Sequence, residues 1–90
     1  MSIEKADVVI PLNGRDAGKR FIVIGTEDEY VLLADGRGRR VEKPKRKKNK
    51  HVRADNKASG MIAEKLIEGE RVTNSEIRRV LDTHGEKGGM

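Results

Sequence analysis

The sequence predicts a mainly β fold: a small five-stranded antiparallel barrel followed by two short α-helices. Three observations lead there. The first half carries short apolar runs, VVIPL at 8–12, FIVI at 21–24 and YVLLA at 30–34, which are largely β-branched and are bounded by stretches rich in turn-forming residues. The last third changes to the 3.6-residue spacing of amphipathic helices. Ninety residues, 39% charged and 34% hydrophobic, allow one small domain with an appendage, because a core of this size buries a modest share of its surface.

In chain order, the first run is a strand leading into NGRDAG, where Asn13, Gly14 and Gly18 supply a permissive turn backbone. The second and third runs flank GTEDE, giving strand, turn, strand. A helical reading of these runs fails on their length and on their glycines. ADGRG at 34–38 marks another turn, after which RRVEK at 39–43 is expected as a fourth strand with Val41 inward. A fifth strand is expected near KHVRA at 50–54, anchored by Val52. This is the spacing of a small antiparallel barrel.

The apolar runs show no clean alternation, so both faces of the sheet require cover. SGMIAEKLIEG places Ile62, Ala63, Leu66 and Ile67 at helical spacing with Gly69 as a stop. TNSEIRRVLDTHG opens with Thr73 three residues before Glu76, a capping box, and carries Ile77, Val80 and Leu81 on one stripe before Gly85. Ile62, Leu66, Ile77 and Leu81 form a packing stripe that docks on the barrel or on a protein neighbour. EKGGM is expected to be a disordered end. The division is a barrel with a basic loop over 1–55 and a helical appendage over 56–90, and the two parts are expected to act separately.

Charge is distributed unevenly. Residues 1–35 hold four basic and seven acidic groups, a net of −3; residues 36–53 hold ten basic groups against Glu42 alone, +9; residues 54–90 hold six and seven, −1. One segment therefore supplies all the excess positive charge, which raises the local concentration of a polyanion.

Other chemistry has little to stand on. With no cysteine, there is neither a disulfide nor a thiolate metal site, in keeping with a reducing cytoplasm. His51 and His84 stand apart without metal-ligand spacing, so neither metal nor cofactor is expected, and no enzyme. GRDAGKR at 14–20 lacks the spacing and the terminal Lys-Ser or Lys-Thr of a phosphate-binding P-loop. Nothing approaches a membrane-spanning apolar stretch or an export signal, so a soluble cytoplasmic chain is expected.

Residues 6–36, ADVVIPLNGRDAGKRFIVIGTEDEYVLLADG, resemble a KOW motif: an Asp-Val-Val strand, a Gly-x-x-x-Gly-Lys loop at Gly14, Gly18 and Lys19, then an alternating strand and hairpin. The chain is similar to large-subunit ribosomal proteins of the fourteen-e family and, through EKPKRKKNKH and IAEKLIEGERVTNSEIRRVL, to small bacterial KOW proteins that bind RNA. The resemblance implies an SH3-like barrel. It departs at Ala6, where the pattern often has glycine, and at Phe21, where a smaller residue is usual.

Beside that resemblance the basic block is expected to be an RNA-binding loop, pinned between strands, with Pro44 favouring an extended course that sets cations against phosphates. The expected contacts are Arg15, Lys19 and Arg20 from the first loop, then Arg37, Arg39, Arg40, Lys43, Lys45, Arg46, Lys47, Lys48, Lys50, His51 and Arg53. Tyr30 and Phe21 are the only aromatics and fall within strands, so no platform for unpaired bases is expected. Recognition should rest on phosphates and RNA shape, with arginines adding bidentate contacts. The expected function is a non-enzymatic, monomeric, ribosome-associated protein whose partners are ribosomal RNA and ribosomal proteins. The alternative is an interaction module of the NusG type that docks on RNA polymerase or a ribosomal protein.

Overall fold

The computed structural model describes residues 3–58 and 60–88, with side chains through Asp82. Five strands, β1 (Asp7–Pro11), β2 (Phe21–Glu27), β3 (Tyr30–Ala34), β4 (Lys45–Lys48) and β5 (Val52–Lys57), precede helices α1 (Met61–Ile67) and α2 (Asn74–Gly88). All strand pairs are antiparallel, in the order β4-β3-β2-β1-β5. β4 and β5 lie at opposite edges, yet only a 3₁₀ turn, Asn49–His51, joins them. The sheet must therefore curl until its edges approach, giving a barrel-like form.

The curl creates two apolar compartments. Val9, Phe21, Val23, Val31, Leu33 and Val52 fill one of them. Val8, Ile22 and Ala34, which alternate with these along the strands, face the other, where they meet Ile62, Leu66, Val72 and Ile77 of the helical region. The unalternating apolar runs have this explanation: strand residues of both parities are buried, one set inside the curl and one under the helices. Three of the four expected stripe residues are buried there and Leu81 packs at the margin.

The helices thus dock on the sheet and share a core with it, the first of the two positions expected for their stripe. The capping box is present: the Thr73 amide donates to Glu76 Oε1 at 2.8 Å, and the Glu76 amide donates to Thr73 Oγ1 at 3.1 Å. Gly85 does not stop α2, whose backbone continues to Gly88; of the expected disordered end, the last two residues lie outside the described residues.

The expected fourth strand is displaced. Residues 39–43 form bends and a turn, and β4 falls on Lys45–Lys48, pairing Lys45 with Leu33 and Lys48 with Tyr30. Val41, expected to anchor that strand, instead packs at the margin of the helix-side core. β5 contains the expected anchor Val52 but starts there, after the 3₁₀ turn that takes Lys50 and His51, and continues to Lys57, two residues beyond the expected boundary at 55. Ala6, the departure from the KOW pattern, is fully buried with φ +74°, a conformation in which glycine carries no steric penalty.

Candidate nucleic-acid interface

The basic block is an edge strand and its approaches rather than a loop. β4 reads Lys-Arg-Lys-Lys, a composition that discourages edge-to-edge association of sheets. Residues directly opposite in an antiparallel pair share a face, so Lys45 and Lys47 lie with Leu33 and Val31, while Arg46 and Lys48 lie with Leu32 and Tyr30. The Arg46 guanidinium sits 3.7 Å from the centre of the Tyr30 ring, and its Nε donates to Glu27 at 3.1 Å. Phe21 is buried, and Arg46 covers one face of the half-buried Tyr30 ring.

Two contacts bring the strand and the loops together. Lys47 Nζ donates to the Asn13 carbonyl at 3.0 Å, tying β4 to the β1–β2 loop. Asp16 in that loop accepts from Arg39 Nε and Nη2 at 3.3 and 3.2 Å and lies 4.0 Å from Lys19. Gly14 and Gly18 both have positive φ, and a Cβ on Gly14 would stand 3.2 Å from Lys47 Nζ. Of the basic residues expected to converge on this loop, Lys47 and Arg39 reach it. Their contacts depend on Asp16 and the Asn13 carbonyl, neither of which the sequence singled out.

The remaining expected residues divide into two groups. Arg20 pairs with Asp55 at 3.0 Å, Arg37 with Asp82 at 3.2 Å and Arg40, at 3.8 Å, with Glu42. Arg15, Lys43, Lys45, Lys48, Lys50, His51 and Arg53 have no side-chain partner among the described residues. The lysines and arginines among them are open to an external anion. Exposed pairs such as Arg37–Asp82 contribute little on their own, about 0–1 kcal/mol, and exchange readily for a phosphate.

The turn between β3 and β4 is fixed by α2. Asp35 Oδ1 accepts from the Arg37 and Arg39 amides, folding the turn on itself. Arg78 Nη1 donates to the Gly36 carbonyl at 2.6 Å. Asn74, which is buried, accepts from the Val41 amide at 2.8 Å and donates to both carboxylate oxygens of Glu42 at 3.0 and 3.3 Å. This hydrogen bond, above all, holds the Glu42 carboxyl below its usual range, with smaller help from its own backbone and from Arg40 and Arg71. Glu76 is likewise lowered, first by Lys65 and then by the Thr73 amide, while Lys57 is raised by Asp7. Nothing in the sequence marked Asn74 or Arg78 for this work, since their partners lie more than thirty residues away in the chain.

Among the described residues no group of three or more His, Asp or Glu is placed to hold a metal ion. Nor, among those residues, is any helix long and apolar enough to cross a membrane. No protein-family model and no curated protein matches the chain.

Proposed function

We propose that this chain is a non-enzymatic RNA-binding protein that grips structured RNA, ribosomal RNA foremost, and works in the cytoplasm as a monomer. The observation that carries this reading is the joining of the basic block to the GRDAGKR loop: β4, four cations in succession, reaches it from Lys47 to the Asn13 carbonyl, and Arg39 reaches it at Asp16. The cations are thereby held on a folded support, which a flexible targeting tail would not require. The likeness of residues 6–36 to the KOW pattern supports the same reading. With Phe21 buried and one face of Tyr30 taken by Arg46, the surface suits phosphates and helical shape over splayed bases.

Sedimentation of the protein from cell lysate through sucrose gradients tests this reading, at low salt, at high salt and after nuclease. Co-migration with large ribosomal subunits, lost on adding salt or nuclease, is the expected result. Protein that stays at the top of every gradient rules out the ribosomal partner.

A further inference from the structure

Between the 38–44 segment and β4 lies a hollow of about 580 Å³, lined by the cations Arg39, Arg40, Lys43, Lys45 and Arg46 together with Gly38 and Pro44. Its volume is that of a ligand cleft. No carboxylate lines it, although Glu42 stands in the same segment. The reason lies across the chain: Asn74 of α2 holds both Glu42 oxygens, so that the carboxylate lines a different surface, beside Arg71 and Val72, and of the five cations it pairs with Arg40, at 3.8 Å. Lys43 and Lys45 have no partner among the described residues, while Arg39 and Arg46 are oriented by Asp16 and by Glu27 with Tyr30.

We propose that this hollow is a preformed seat for a single phosphodiester group, and that Asn74 is a positioning residue that holds the competing Glu42 carboxylate to the Arg40 side of the seat, away from Lys43 and Lys45. The inference rests on the RNA-binding reading for its natural ligand. The seat offers one anion Lys43 and Lys45 as direct donors, beside Arg39, Arg40 and Arg46, which pair with Asp16, Glu42 and Glu27 and can turn a fork to a phosphate by exchange. The remaining lysines of the surface supply diffuse attraction.

Amide NMR titration of the full chain with inorganic phosphate, at constant ionic strength and neutral pH, tests the seat. Saturable shifts confined to Gly38, Lys43, Lys45 and Arg46 are expected. Lys43→Gln or Lys45→Gln should weaken phosphate by about threefold or more, while Lys5→Gln, on a separate surface beside Thr26 and Ile67, should change nothing. Asn74→Ala should weaken phosphate similarly, and adding Glu42→Gln to it should restore binding, a rescue that a purely structural role for Asn74 does not give. Non-saturating shifts spread equally over Arg15, Lys19 and Arg53 overturn the seat, and failure of the rescue overturns the role of Asn74. In a parallel titration, duplex RNA should displace phosphate from the hollow. RNA that binds while phosphate stays in place removes the phosphodiester assignment and leaves the RNA-binding reading standing. Saturable phosphate with no RNA binding removes that reading and leaves a seat for free phosphate.

Discussion

A Cβ placed on Gly36 would stand 2.5 Å from the carbonyl oxygen of Asn74 and 2.9 Å from Arg78 Cγ, and φ at Gly36 is +77°. The β3–β4 turn and the first turn of α2 are therefore in backbone contact that only glycine permits. Gly36→Ala meets the left-handed penalty and this clash together, and should cost about 2 kcal/mol or more. Urea denaturation followed by circular dichroism measures it; a change within 0.5 kcal/mol, about the scale of an ordinary surface substitution, would show that the two segments do not touch.

The shared core changes what a helix mutation should do. Leu66, 4% exposed, packs with Ile22 and Ile77, and Leu66→Asp places a charge there, at a cost of about 3 kcal/mol or more. Because α2 also holds the β3–β4 turn, RNA affinity should fall with helix docking, contrary to the separation expected from sequence. Hydrogen exchange at Arg37, Arg39 and Val41 alongside RNA titration checks this; unchanged protection and affinity would restore the two-part view.

Thr73 caps α2, and Thr73→Ala should lower stability by about 1 kcal/mol. Serine at the same position should retain most of the effect. A thermal melt in which alanine and serine behave alike would remove the cap from the account.

Glu42 and Glu76 ionise more readily in the fold than in the free chain, so the unfolded state binds more protons as pH falls through the carboxylate range. Their contribution is present above about pH 4.3 and is lost below it. Lys57, held protonated by Asp7, acts in the opposite sense: its contribution is present below about pH 10.4 and is lost as pH rises beyond it. Urea midpoints across pH should form a plateau that falls at both ends, and Glu76→Gln should flatten the acid limb. An acid limb identical in that variant would contradict the assignment.

β1, β2 and β3 were legible because each is an apolar run between turn-rich stretches, and both helices because Ile62, Leu66 and Ile77 keep helical spacing above a recognisable cap. The double-sided burial of the strands also called correctly for cover. β4 was not legible, since Lys45–Lys48 contains no apolar residue and lysine is depleted in strands. Its conformation comes from the ladder to Tyr30–Leu33, a tertiary effect. A period-2 reading went to Val41 because it was the only apolar residue in the block before Val52. The cationic residues of the candidate site were legible from charge density alone. The parts that arrange them, Asp16, Asn74 and the Asn13 carbonyl, act through contacts spanning 23 to 34 residues, which local pattern does not encode.

The central claim is that phosphates are gripped by the surface built on β4 and the GRDAGKR loop. Filter binding of a duplex-containing ribosomal RNA fragment over a series of potassium chloride concentrations measures it most directly. If about six phosphates are engaged, the slope of log affinity against log salt should be about −4 to −5, and replacing Lys45, Lys47 and Lys48 together by glutamine should make it shallower by about two to three. A slope near zero, or one that the triple replacement leaves unchanged, would contradict the account.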